Sequence, residues 1–112
     1  MTEGRLNAYH IMWLFVFFDL PVQTKKERKT AATFRKDLLK DGFVMMQFSV
    51  YIRHCGSHES LCAHKRRVKA IMPDTGKVSM LAVTDKQYGD IDTVFGKSAK
   101  KDINAPIQLE LF

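Results

Sequence analysis

A chain of 112 residues builds one domain around one core, and a content of 46% hydrophobic and 11% aromatic residues excludes intrinsic disorder. The formal net charge of +6 and a pI near 9.5 favour a polyanionic partner, nucleic acid ahead of an anionic membrane surface. The longest apolar run, Ile11 to Phe18, has eight residues, well short of the ~20 that a membrane-crossing helix needs. It ends in Asp19-Leu20-Pro21 rather than in the small residues of a signal-peptide cleavage site. A cytoplasmic location without a membrane partner is expected, with Cys55 and Cys62 as reduced thiols.

Residues 1–9 read as a flexible N-terminal extension, 10–96 as the folded domain, and 97–112 as a loop with a C-terminal strand. The first strand, His10 to Asp19, is rich in aromatic and branched residues; Pro21 stops it because it lacks an N–H for the ladder. Thr24 and Glu27 have the spacing of a capping box. The helix it opens, running to Leu39 or Lys40, has Ala31, Phe34, Leu38 and Leu39 at helical spacing and stops at Asp41-Gly42. Phe43 to His54 is strand-like, with Phe48, Val50 and Ile52 alternating with Ser49, Tyr51 and Arg53. Its length predicts a bend or bulge near Met46-Gln47 that divides it in two, as a long bent strand or a hairpin.

Ser57 or its neighbour caps a second helix to about Met72, with Leu61, Val68, Ile71 and Met72 inward. After the Pro73-Asp74-Thr75-Gly76 turn, Lys77 to Thr84 forms a strand, and Thr84 and Gln87 repeat the capping-box pattern ahead of a short helical turn. Ile91 to Phe95 reads as a brief strand, and Ile107, Leu109 and Leu111 as one face of the C-terminal strand.

This order is βαββαβ plus an extension: an α+β, ferredoxin-like sandwich with an extra C-terminal strand. Two helices cover one face of a four-stranded sheet, yet the first and last strands are apolar on both faces. A second copy of the chain is the expected cover, making a homodimer in which the tail strand completes a sheet.

Phe17-Phe18-Asp19-Leu20-Pro21, Gly42 to Tyr51 and Val83-Thr84-Asp85-Lys86-Gln87-Tyr88, in that order and spacing, resemble the small CRISPR-associated adaptation protein, the Cas-two family, in its type II branch. The resemblance covers Ile11 to about Gly96 and implies a ferredoxin-like homodimer held between two dimers of the Cas-one integrase. Together these insert short foreign double-stranded DNA into a CRISPR array. Relatives are also described as metal-dependent endonucleases on RNA or duplex DNA, with an acid at the end of the first strand as magnesium ligand; here that position is Asp19. The N-terminal extension departs from many relatives, and residues 105–112 match only as a short apolar strand.

From the residues alone, Asp19 is either a hard-cation ligand at a strand's end or an acid capping the turn into the first helix, and no other acid, His or Lys lies near it in sequence. The resemblance adds a catalytic and Mg²⁺-binding role, with two copies of Asp19 paired across a dimer. Lys25, Lys26, Arg28 and Lys29 crowd the start of the first helix against its macrodipole, which suggests an external phosphate there. Arg53, Lys65, Arg66, Arg67 and Lys69 form a second basic region. As a set these residues are expected to contact nucleic-acid backbone without reading sequence. His54, Cys55, His58, Cys62 and His64 lack the spacings of a closed structural zinc site.

The resulting expectation is a dimeric scaffold that holds duplex DNA for a Cas-one integrase. The alternatives are a Mg²⁺-dependent endoribonuclease in its own right, and an RRM-like RNA-binding module. For the last, the sheet aromatics are suggestive but the RNP motif is absent.

Overall fold

Met12 to Asp19 alternates between two kinds of burial, and that alternation organises the molecule. Leu14, Val16 and Phe18 point to one side of strand β1 (Met12–Asp19) and are buried in the main core. Trp13, Phe15, Phe17 and Asp19 point to the other side. The computed structural model describes residues 11–97; the N-terminal extension over 1–9 and the C-terminal strand lie outside the described residues.

Helix α1 (Lys25–Lys40) begins at the expected capping box. Thr24 Oγ1 accepts from the Glu27 N–H, and the Glu27 carboxylate accepts from the N–H groups of Gln23 and Thr24. Ala31, Phe34 and Leu38 face the sheet, while Leu39, counted as apolar face from its spacing, is 53% exposed. Gly42 leaves the helix at φ +91°, as its place in the stop signal requires.

The long strand-like stretch is a hairpin: β2 (Val44–Gln47) and β3 (Val50–Cys55) pair antiparallel, with a register shift between Met45 and Gln47. The bulge lies where expected, and of the bent strand and the hairpin the chain adopts the hairpin, reversing through Phe48 and Ser49. Phe48, read as part of a strand face, is a turn residue 60% exposed. Ser49 takes φ +65°, a left-handed conformation in which the chain turns back.

Helix α2 (His58–Ala70) is capped by Ser57 and buries Leu61, His64 and Val68. Strand β4 (Lys77–Thr84) and a short helix α3 (Asp85–Gly89), with its own Thr84–Gln87 capping box, follow. Ile91 to Phe95 forms no strand. Ile91 and Phe95 have the spacing of one strand face, but Val94 falls on the other, and all three are exposed.

The sheet order is β2-β3-β1-β4, with every neighbouring pair antiparallel, which is the ferredoxin-like arrangement. Phe34, Leu38, Leu61 and Val68 of the helices close one face over Leu14, Val16, Phe18, Tyr51 and Cys55. On the other face α3 covers one end: the Trp13 indole donates to Asp85 Oδ1 at 2.8 Å and stacks on Tyr88 at 4.0 Å. Phe17, Leu81 and Val44 of that face remain 38%, 50% and 55% exposed, so the chain by itself leaves much of its second apolar face open.

Candidate nucleic-acid interface and acid site

Asp19 closes β1 on the open face, two residues beyond Phe17, and is exposed. Cross-strand register sets it opposite Lys77, the first residue of β4. Sequence reading missed that neighbour because the two residues are far apart along the chain. Asp19, Lys77, Phe17, Phe18, Ser49, Val50 and Ser79 line a shallow cavity of about 260 Å³. Ser49 also ties the hairpin to this end of β1, its carbonyl accepting from the Phe18 N–H at 3.1 Å.

Gly76 backs the site. It has φ +96°, and a Cβ there would stand 2.9 Å from the Asp19 carbonyl oxygen and 2.6 Å from Leu20 Cδ2. Only glycine allows the α2–β4 turn to approach the Asp19-Leu20 backbone this closely.

A carboxylate is the oxygen donor that Mg²⁺ takes. Among the described residues, however, no group of three or more His, Cys, Asp or Glu converges on a metal position. Asp19 therefore fits such an ion in donor type but supplies one ligand per chain.

The basic residues separate into two kinds. Lys25, Lys26, Lys29, Arg66 and Lys69 are exposed and Lys65 is half-buried, and among the described residues none of them makes an ion pair within 4 Å. Lys26 and Lys29 line a groove of about 410 Å³ that Ile71 and Pro73, just past α2, also border. The basic start of α1 and the end of α2 thus share one side of the molecule.

Arg28, Arg53 and Arg67 have internal partners. Arg28 Nη1 donates to the carbonyls of Val22 and Gln23, both at 3.1 Å. Arg53 Nε donates to the Asp41 carbonyl at 2.9 Å and its Nη1 to the His54 carbonyl. Arg67 Nη1 donates to Asp41 Oδ1 at 2.9 Å. The N-terminus of α1 likewise differs from the open phosphate site suggested by its lysines: the Thr24 hydroxyl and the Glu27 carboxylate occupy it.

The His and Cys residues disperse. Cys55 is fully buried, and burial pushes its thiol above the usual range, with Arg53 pulling the other way. His54 sets its ring edge against Trp13, and Cys62 Sγ lies 3.4 Å from His58 Nε2 one helical turn away. His64 is part of the core: it packs edge-on to Phe43, and its Nδ1 lies 2.7 Å from Asp41 Oδ2. The carboxylate can only accept, so Nδ1 carries the hydrogen. The place of His64 between Leu61 and Val68 at helical spacing is the signal that marks it as core. Asp41 thus joins the end of α1 to α2 through its carboxylate and to β3 through its carbonyl.

The family model described as CRISPR associated protein Cas2 matches residues 12–91. The chain belongs to the Cas2 family. It is 48% identical over 108 residues to a CRISPR-associated endoribonuclease Cas2 of Flavobacterium psychrophilum, covering 96% of this chain and 94% of that one. It is 50% identical over 101 residues to the protein of the same name from Parvibaculum lavamentivorans, covering 90% and 100% respectively. A solved structure described as a crystal structure of cas2 superposes with a TM-score of 0.55 at 24% identity, over 78% of this chain and 88% of that one, and supports the fold.

The match begins at Met12 and ends at Ile91, and so includes Asp19, both long helices and the Trp13–Asp85–Tyr88 cover of the second sheet face. Among the described residues, no helix is long and apolar enough to cross a membrane.

Proposed function

We propose that this Cas2 protein acts as a cytoplasmic homodimer that holds duplex DNA between Cas-one integrase dimers during spacer acquisition, in a type II system. The observation that carries the reading is the set of six basic side chains on α1 and α2 without ion-pair partners among the described residues: Lys25, Lys26, Lys29, Lys65, Arg66 and Lys69. Cations on rigid helices and free of internal partners bind phosphate by position and charge, independently of sequence. A scaffold for arbitrary fragments needs that kind of contact. Arg28 holds the loop that leads into α1, Arg67 ties α2 to Asp41, and Arg53 ties β3 to the same residue.

The apolar second face supplies the dimer. Phe17, two residues from Asp19, and Leu81, opposite Phe15, lie on it, and a two-fold axis at the Asp19 end of that face brings two copies of Asp19 toward one another.

Two measurements test the scaffold. Sedimentation should give a dimer, and Leu81→Lys should give a folded monomer; a wild-type monomer at high concentration sinks the model. Arg66→Glu with Lys69→Glu should reduce the slope of log affinity for duplex DNA against log salt by about 2. An unchanged slope removes α2 from the DNA face.

A second reading, divalent-metal-dependent cleavage of RNA or DNA, draws on the exposed Asp19 carboxylate beside an open cavity. Mg²⁺ held there would activate water and offset phosphate charge. Asp19→Ala should then abolish cleavage while duplex binding persists. The RRM-like reading has little support: Trp13 is covered by Tyr88 and Phe15 is buried, which leaves Phe17 as the one sheet aromatic on that face, among the described residues, open to a base.

A further inference from the structure

The Asp19 cavity contains a cation that the magnesium reading does not use. Asp19 and Lys77 are register partners across β1 and β4, so their side chains leave the same face of the sheet from adjacent positions. Both are exposed and both line the same cavity. Opposite charges so placed ordinarily pair. Among the described residues, however, no ion pair within 4 Å joins these two. The cavity therefore presents a carboxylate and an ammonium side by side, each turned to solvent.

The backbone fixes this arrangement. The turn residue before Lys77 is Gly76, whose absent side chain lets the chain pass against the Asp19 carbonyl oxygen and Leu20. Ser79, two residues along β4, and Ser49 of the hairpin turn complete the polar part of the lining.

We infer that Lys77 is the phosphate-binding group of the Asp19 site. Its ammonium takes a non-bridging oxygen of a nucleic-acid backbone phosphate that sits between it and Asp19. The inference rests on the nuclease reading of Asp19 and adds the substrate's anchor to it. A carboxylate alone repels a phosphate; with a cation on the next strand the same cavity attracts one, and the carboxylate remains free for a metal ion. A lysine serving only to blunt a sheet edge has no coupling to Asp19.

The test uses the full-length protein and a labelled single-stranded RNA oligonucleotide, with binding followed by anisotropy across a NaCl series in EDTA. Lys77→Ala should weaken binding several-fold and reduce the salt slope by about 0.7, the value for one phosphate on a single strand. Lys77→Arg should keep the wild-type slope, and Asp19→Asn should bind more tightly than wild type because a repulsive charge has gone. In a double-mutant cycle the two positions should be non-additive, since they act on one phosphate.

A wild-type slope for Lys77→Ala, an Arg variant as weak as the Ala variant, or strict additivity with Asp19→Asn would each overturn the inference. The nuclease reading is decided separately, by cleavage in Mg²⁺. If the wild type cuts nothing with any divalent ion, that reading fails while the EDTA titrations still decide whether Lys77 and Asp19 share a phosphate.

Discussion

Replacing Gly76 by alanine tests how the Asp19 end of the sheet is built. Two costs add. The residue has φ +96°, a conformation that costs a non-glycine residue about 1–3 kcal/mol. The new Cβ would also stand 2.9 Å from the Asp19 carbonyl oxygen and 3.2 Å from Leu20 Cα. Leu20 Cδ2 can swing aside, but those two backbone atoms cannot, and overpacking of this kind costs about 1–3 kcal/mol. The sum, ~2–6 kcal/mol, is a large share of the ~5–15 kcal/mol that stabilises an ordinary domain.

Gly42→Ala is the control. Its φ of +91° is nearly the same, but the three atoms nearest its Cβ all belong to the Arg53 guanidinium, at 3.1–3.2 Å, and none to backbone. It therefore carries the backbone cost with little steric cost. Urea unfolding followed through Trp13, the single tryptophan, should show both variants destabilised, with Gly76→Ala the worse by about 1–3 kcal/mol. Equal losses would mean that the close approach of Gly76 to Asp19 constrains nothing.

Two further expectations concern the core side of the sheet. Asp41→Ala strips buried His64 of its acceptor and should cost about 2–3 kcal/mol in the same urea assay. Arg67→Ala, whose side chain is 62% exposed, should cost under about 1 kcal/mol; a larger loss for Arg67→Ala than for Asp41→Ala would remove His64 from the centre of that junction. A thiol reagent should label half-buried Cys62 in the folded protein and fully buried Cys55 only on unfolding. Burial raises both the Cys55 thiol and the Tyr51 phenol above their ordinary values of 9.0 and 10.0. The folded state then holds these protons more tightly than the unfolded chain does, so this contribution to stability is complete below pH 9.0 and is lost as pH rises through the raised values. A urea midpoint that climbs between neutral and strongly alkaline pH would contradict that sign.

The sequence by itself determined the local structure. Thr24–Glu27 and Thr84–Gln87 announced capping boxes, Gly42 a helix stop, and the run before Asp19 a central strand, because each signal depends on residues within a few positions of one another. The ferredoxin-like order followed from the succession of elements. The stretch from Phe43 to His54 reads as a bent strand or a hairpin, and the turn at Phe48-Ser49 is not marked, since a two-residue turn without glycine leaves little trace in composition.

Only the tertiary structure decided which charges are free. Arg53 and Arg67 resemble Arg66 in sequence, yet they are tied to Asp41 from 12 and 26 residues away. His64, one of five His and Cys residues close in sequence, is set apart from the others by its burial against Phe43 and Asp41. Asp19 acquired Lys77 as a neighbour through strand pairing, which joins positions that chain order keeps apart. Ion pairing and burial depend on distance in space, and the sheet register and helix packing set those distances after the local choices have been made.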